Sequence, residues 1–191
     1  ATESTVLVGT NGFFVPSTTG WVVVGVSGTG TTYSINGAVS TTAGNVWEND
    51  SMTVEADATL TVNATEATDD RNLNVTGKVI NNGAIVVSEN AFMRVYGAPS
   101  GVENNGIITN NGDMYIVWNN ANTFVNKGVI TNNGNIDLTD VIDLEDATGN
   151  ITNDRTGSIV NNGTIEGTES LITGEGYLKA VFSAGMFYGS I

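Results

Sequence analysis

The stretch GVITNNGNIDL, residues 128–138, places two asparagines and a glycine between two short apolar segments. Val129, Ile130 and Ile136 are β-branched residues of the kind that suit strands. Asn and Gly tolerate left-handed backbone angles better than most residues, so Asn-Asn-Gly is typical of a turn or corner. This stretch therefore predicts a short strand, a corner and a second short strand.

The same pattern occurs four times in the chain. The segments are GKVINNGAI from residue 77, GIITNNGDM from 106, GVITNNGNI from 128 and GSIVNNGTI from 157. The leading glycines are separated by 29, 22 and 29 residues. Internal repeats of this length indicate a solenoid, a propeller or an array. Two equal intervals around a shorter one suggest one repeat unit with a loop of variable length.

Two architectures fit a strand, corner, strand unit. In a hairpin, Asn-Gly makes a tight turn and the two strands pair with each other, as in a Greek-key sandwich. In a solenoid, the chain turns a corner, and equivalent corners stack about 4.8 Å apart. Only stacking gives a reason for identical residues at identical positions, because amide side chains can then hydrogen-bond along a ladder. We therefore expect an all-β parallel solenoid and keep the hairpin sandwich as the alternative.

The solenoid interpretation assigns structural roles to the repeated residues. The expected asparagine ladder consists of Asn81, Asn82, Asn110, Asn111, Asn132, Asn133, Asn161 and Asn162. The expected turn glycines are Gly83, Gly112, Gly134 and Gly163.

On residues 77–85, 106–114, 128–136 and 157–165, the chain resembles the parallel β-helix proteins of phage and bacterial surfaces. Phage tailspikes, autotransporter passengers, surface adhesins and pectate-lyase-like enzymes share that fold. The resemblance covers roughly residues 51–170. It implies a fold, but it implies little about function, because function depends on sites grafted onto a fold.

The sequence divides into three regions. Residues 1–50 contain short Val-, Phe- and Trp-rich runs and few asparagines, which predicts an N-terminal β region for attachment or capping. Residues 51–170 form the repeat solenoid, and residues 171–191 form a C-terminal apolar strand. A solenoid exposes strand edges at its ends, so this strand is expected to cap it or to contact another subunit. The candidate contact residues are Tyr177, Phe182, Phe187 and Tyr188.

Composition excludes several classes of function. The chain of 191 residues has 20 acidic and 6 basic residues, a net charge of −14, and neither Cys nor His. The basic residues are scattered, so a nucleic-acid partner is not expected. The absence of Cys and His removes disulfides, thiolate nucleophiles and imidazole chemistry. No apolar run reaches the length of a membrane span, so membrane insertion is not expected.

The acidic stretch DLTDVIDLED is a candidate metal site. It contains Asp137, Asp140, Asp143, Glu145 and Asp146, and carboxylate oxygens at short spacing can bind Ca²⁺. It lacks the central glycine of a calcium loop, and alternating Leu138, Val141 and Leu144 resemble core positions. A solvated face is therefore the favoured interpretation, with a weak calcium site as the alternative and no other cofactor.

No catalytic residues are predicted, because no basic cluster accompanies the acids as it does in β-helix polysaccharide lyases. We expect a non-enzymatic structural protein, a multi-copy virion decoration or fibre component with a rigid acidic surface. Its partners would be further copies or other proteins of the same assembly, at a virion or cell surface. The alternatives are a secreted adhesin or filament subunit, and a glycan-binding or glycan-cleaving β-helix.

Overall fold

The computed structural model describes residues 8–9, 12–17, 20–24, 32–41, 44–64, 72–97, 101–117, 123–139, 148–182 and 185–190, with side chains for those between 32 and 180. The described chain is all β, apart from one short 3₁₀ turn at Glu169–Leu171. Most strands alternate buried and partly exposed residues, as in Thr59–Val62 and Ala84–Val87. This period of two places one side of each strand in the core.

Strands recur in groups of three, and each group is one coil of a solenoid with about six coils. The first strands of the coils form the first stack: β4 (Thr32–Ile35), β7 (Ser51–Val54), β10 (Lys78–Asn81), β13 (Gly101–Asn104), β16 (Phe124–Asn126), β19 (Ile151–Asn153) and β22 (Ile172–Thr173). The second stack contains β5 (Ala38–Thr41), β8 (Thr59–Val62), β11 (Ala84–Val87), β14 (Ile107–Asn110), β17 (Val129–Asn132), β20 (Ser158–Asn161) and β23 (Tyr177–Phe182). The third stack contains β6 (Gly44–Val46), β9 (Leu73–Val75), β12 (Phe92–Tyr96), β15 (Asp113–Val117), β18 (Asn135–Asp137) and β21 (Thr164–Glu166).

Every strand of these stacks pairs in parallel with the equivalent strand one coil away. In the second stack, for example, Ile108 is in register with Ile130, and Ile130 with Ile159. The two strands that flank an Asn-Asn-Gly corner each pair with strands of neighbouring coils, and no register joins them to each other. The solenoid prediction is therefore confirmed, and the hairpin interpretation of these corners is wrong.

The core is a set of aliphatic columns that run along the solenoid axis. One column in the second stack contains Leu60, Ile85, Ile108, Ile130, Ile159 and Leu178, all fully buried. Burying one such side chain contributes about 1.5–3 kcal/mol. Because the strands are in register, each aliphatic side chain packs on a similar one in the next coil, which fixes the register along the axis.

Antiparallel strands close the second stack at both extremities. At one extremity, β3 (Gly20–Val24) pairs in parallel with β5 and antiparallel with β2 (Gly12–Ser17), which pairs with β1 (Val8–Gly9). At the other, β23 pairs antiparallel with β24 (Gly185–Ser190) over six residue pairs. The coil formed by β4, β5 and β6 lies within the segment that the sequence assigned to the N-terminal region.

Candidate functional site

In four successive coils, the first corner, between the first-stack and second-stack strands, contains a buried ladder of asparagines. Asn81 Nδ2 donates to Asn104 Oδ1 at 2.8 Å, Asn104 Nδ2 to Asn126 Oδ1 at 2.8 Å, and Asn126 Nδ2 to Asn153 Oδ1 at 2.9 Å. All four side chains are fully buried. Each amide also donates to a backbone carbonyl one coil further on, and for Asn104 this is Val129 O at 3.2 Å.

A second buried ladder occupies the second corner, between the second-stack and third-stack strands. Asn110 Nδ2 donates to Asn132 Oδ1 at 2.7 Å, and Asn132 Nδ2 donates to Asn161 Oδ1 at 2.6 Å. The same amides reach the backbone carbonyls of Asn135 and Thr164. Because Asn110 and Asn132 each use both amide hydrogens inside the fold, they have no donor left for a ligand.

The second asparagine of each doublet is exposed and belongs to an outer ladder with the opposite polarity. Asn105 Nδ2 donates to Asn82 Oδ1 at 2.9 Å. At the second corner, Asn133 Nδ2 donates to Asn111 Oδ1 at 2.9 Å, and Asn162 Nδ2 to Asn133 Oδ1 at 3.0 Å. The inner ladders donate toward the C-terminal coils and the outer ladders toward the N-terminal coils, so their amide dipoles partly cancel.

The structure does not bring all eight predicted ladder asparagines to one corner. Asn110, Asn132 and Asn161 share the second corner, whereas Asn81 lies at the first corner with Asn104. The interval of 29 residues between Gly77 and Gly106 is therefore one coil plus one strand, whereas the interval between Gly128 and Gly157 is one coil. The two equal intervals have different causes.

The predicted ladder omitted Asn104, although it begins an Asn-Asn-Gly. Sequence reasoning also missed two further members of the first ladder, Asn126 and Asn153. Neither is followed by a second asparagine and a glycine, because the chain reads Asn-Lys-Gly at 126 and Asn-Asp-Arg-Thr-Gly at 153. No local sequence signal identifies them. Each is the buried last residue of its strand, and the register joins Asn126 to Asn104 and Asn153 to Asn126.

The corner glycines are needed for space, which corrects the expectation that these corners need left-handed backbone angles. Positive φ angles in the described residues occur elsewhere, for example at Asn49 and Gly97, and at no residue of an Asn-Asn-Gly corner. Instead, a Cβ on Gly134 would overlap the carbonyl oxygen of Gly112 in the coil below, and a Cβ on Gly163 would overlap that of Gly134. Glycine allows the backbones of successive coils to approach closely.

Each inner ladder ends on an aliphatic residue at its N-terminal side. Asn81 is in register with Val54 in the coil below, and Asn110 with Val87. Asn81 Oδ1 and Asn110 Oδ1 are buried and accept no hydrogen bond from any described residue. We call Asn81 and Asn110 the feet of the inner ladders. Because the residue before it in the ladder is aliphatic, the first asparagine has no donor for its side-chain oxygen, and this unsatisfied buried acceptor destabilises the fold.

The third stack carries a group of aromatic and charged side chains: Phe92, Arg94, Tyr96 and Tyr115. The Arg94 guanidinium lies over the Tyr96 ring at 3.9 Å from its centroid and 5.8 Å from that of Tyr115. The rings of Phe92 and Tyr115 are 6.1 Å apart. Asn74, in register with Arg94, has a buried Oδ1 without a hydrogen-bond donor among the described residues. The surface is therefore held by cation–π contacts, and Arg94 is already engaged in them.

Two carboxyl groups on the outer surface have shifted pKa values. The hydrogen bond from Lys127, whose Nζ lies 3.1 Å from Glu103 Oε1, is the main cause that lowers the pKa of Glu103, with Asn105 contributing. Both side chains of this ion pair are more than 40% exposed, so it adds little stability. Burial raises the pKa of Asp113, and a hydrogen bond with Asn135 offsets part of that increase.

The remaining predicted site residues are not brought together by the described structure. Asp137 Oδ1 accepts hydrogen bonds from the backbone N and the hydroxyl of Thr139. Asp140, Asp143, Glu145 and Asp146 lie outside the described residues, as do the side chains of Phe182, Phe187 and Tyr188. Tyr177 is 48% exposed at the start of β23. In the described ranges, no three acidic side chains come close enough to hold a metal ion.

No family model matches this chain, and no curated protein or solved structure matches it significantly. In the described part of the chain, no helix is long and apolar enough to cross a membrane.

Proposed function

We propose that this chain is a non-enzymatic structural protein, a multi-copy decoration or fibre component of a virion that presents a rigid acidic surface. The observation that supports this proposal is the pair of continuous buried asparagine ladders. They join successive coils through side chains whose amide donors are used internally. Neutral amides in a dry corner supply no nucleophile and no general base, but they fix the register of every coil they join.

The distribution of charge supports an assembly role. Residues 4–47 and 180–191 contain no charged side chain, and apart from Glu3 every acid and base lies between 48 and 179. The uncharged segments include β2, β3 and β24, which close the second stack at its two extremities. Like charge on the flanks opposes side-by-side packing of copies, whereas the uncharged extremities carry no such repulsion.

The experiment that tests the virion role is localisation in the source organism. Particles and cell-envelope fractions would be purified and analysed by quantitative mass spectrometry and by immunogold labelling against the folded chain. We expect regular labelling of particles at many copies each. Labelling of the cell envelope, with none on particles, would overturn the virion assignment.

A filament or adhesin subunit is the second candidate, and one observation favours it. The antiparallel strands at both extremities belong to the same stack, so pairing between the extremities of two copies would continue that stack along the solenoid axis. Electron microscopy of the purified chain at neutral pH distinguishes the two roles. Long unbranched filaments would favour the subunit role, and discrete particles of fixed size would oppose it.

A further inference from the structure

The Asn-Asn-Gly corners contain a chemically labile step. Asn82, Asn105, Asn111, Asn133 and Asn162 are all exposed, and each is followed by glycine. In an Asn-Gly step, the glycine backbone nitrogen can attack the asparagine Cγ. A new N–Cγ bond forms, the Cγ–Nδ2 bond breaks, and ammonia leaves with the proton from the glycine nitrogen. Water then opens the cyclic imide to aspartate or isoaspartate.

At three of these Asn-Gly steps, two hydrogen bonds to the preceding coil hold the corner in place. The glycine nitrogens that would attack at Asn105, Asn133 and Asn162 donate instead to the carbonyls of Asn81, Asn110 and Asn132, at 3.0–3.1 Å. The asparagine side chains donate to the outer asparagine below. Both bonds must open before the nitrogen can reach Cγ, so reaction requires local unfolding of the corner.

The other two steps lack both restraints. Asn82 and Asn111 begin the outer ladders. Within the described part of the chain, their side chains only accept hydrogen bonds, from Asn105 and Asn133. Among the described residues, the backbone nitrogens of Gly83 and Gly112 donate no hydrogen bond, and in these two steps only Asn82 N and Asn111 N bond to the preceding coil, at Val54 O and Val87 O.

We propose that Asn82 and Asn111 are sites of spontaneous deamidation in the folded protein, and that the ladders protect Asn105, Asn133 and Asn162. Among the five Asn-Asn-Gly corners, the position in the ladder, rather than exposure or local sequence, determines which asparagines deamidate. Deamidation of Asn82 or Asn111 to aspartate leaves a side-chain oxygen that still accepts the hydrogen bond from Asn105 or Asn133 in the next coil. The same change at Asn133 would remove the donor to Asn111 and place a carboxylate against its carbonyl oxygen.

The experiment is a time course on the intact folded chain in mildly alkaline buffer, with peptide mapping by mass spectrometry to measure amide-to-acid conversion at each asparagine. We expect Asn82 and Asn111 to convert at least about tenfold faster than Asn105, Asn133 and Asn162, because two hydrogen bonds must open at the protected steps. In denaturant, all five should convert at similar rates. Equal rates in the folded chain, or no conversion at Asn82 and Asn111, would overturn the proposal.

A matched pair of variants tests the ladder itself. Asn111→Ala removes the acceptor for Asn133 Nδ2, so conversion at Asn133 should rise several-fold while conversion at Asn162 stays unchanged. Asn82→Ala belongs to the other corner and should leave Asn133 unaffected. If Asn111→Ala leaves the rate at Asn133 unchanged, or raises Asn133 and Asn162 equally, the side-chain ladder is not the protecting element and the proposal fails.

Discussion

Asn132 and Asn133 are adjacent in the chain but lie in opposite environments. Asn132 is fully buried, and its amide donates to Asn161 and to the carbonyl of Thr164. Asn133 is exposed, and its side chain bonds to Asn111 and Asn162 along the outer ladder. The two asparagines of the repeated doublet therefore have different structural roles, which the sequence motif does not reveal.

Replacing each asparagine with leucine should separate these roles. Asn132→Leu leaves buried donors and acceptors in neighbouring coils without partners, so we expect a loss of about 2–4 kcal/mol in the free energy of unfolding. Asn133→Leu should cost about 0.5 kcal/mol or less, as is usual for surface positions. Urea denaturation measures both. Equal losses for the two variants would contradict the assignment of inner and outer ladders.

The corner glycines give a second residue-scale prediction. Gly134→Ala should destabilise the fold strongly, because its Cβ would overlap backbone atoms of Gly112 that cannot move without displacing the coil. Gly97→Ala is the control. Gly97 has a φ of +94° but open space around the new Cβ, so its cost is backbone strain alone, about 1 kcal/mol or slightly more. A larger loss for Gly97→Ala would mean that conformation, rather than space, selects glycine.

Asp113 gives a pH-dependent prediction. Burial raises its pKa, so the folded chain binds a proton there more readily than the unfolded chain, and the charged carboxylate destabilises the fold at neutral pH. Asp113→Asn should therefore raise Tm at pH 7. This gain should shrink as the pH falls through the raised pKa of Asp113 and vanish below its ordinary value of 3.8.

Thermal melts across this pH range measure the effect, with Glu89→Gln as a control that removes an exposed negative charge. A gain in Tm that persists unchanged at low pH would show that charge at Asp113 is not its cause.

At the scale of elements, each inner ladder is a series of hydrogen-bonded asparagine side chains that begins at its foot. Removing the foot should cost less than removing an interior member. Asn81→Val removes the unpartnered Asn81 Oδ1 but leaves Asn104 Oδ1 without its donor, so the number of unpartnered oxygens does not change. Asn126→Val keeps the unpartnered oxygen at Asn81 and adds one at Asn153.

Both variants also lose one bond to a backbone carbonyl, from Asn81 to Ile107 or from Asn126 to Ser158, so this loss cancels in the comparison. We expect Asn126→Val to be less stable than Asn81→Val by about 1–3 kcal/mol in chemical denaturation. Equal stability would indicate that the ladder bonds contribute independently of their position.

At the scale of the whole molecule, the solenoid has acidic flanks and uncharged strands at both extremities. The sequence pI is near 4.1. At pH 7 and low salt, any association should therefore be axial, and side-by-side association should begin only as the pH approaches the pI and the carboxylates become protonated. Light scattering and electron microscopy across this range measure both modes. Lateral bundles at pH 7 and low salt would contradict this account.

The sequence by itself determined the fold class and the residues at the corners. The runs of β-branched residues in segments such as Val129–Asn132 specify strands. The recurrence of Asn-Asn-Gly indicates stacking, because only stacked coils require the same residues at the same position. These signals are local or periodic, so they can be read without coordinates.

Only the tertiary structure decided which corner each doublet occupies, and that Asn126 and Asn153 complete the first ladder. Loops of different length separate the strands, and contacts between coils join residues more than 20 positions apart, so spacing alone does not give the register. The grouping of Arg94, Tyr96 and Tyr115 depends on the same register. So does the lack of a hydrogen bond, among the described residues, from the backbone nitrogens of Gly83 and Gly112. Stacking made the repeat visible in the sequence, but the vertical neighbours of each residue are set by the path of the whole chain.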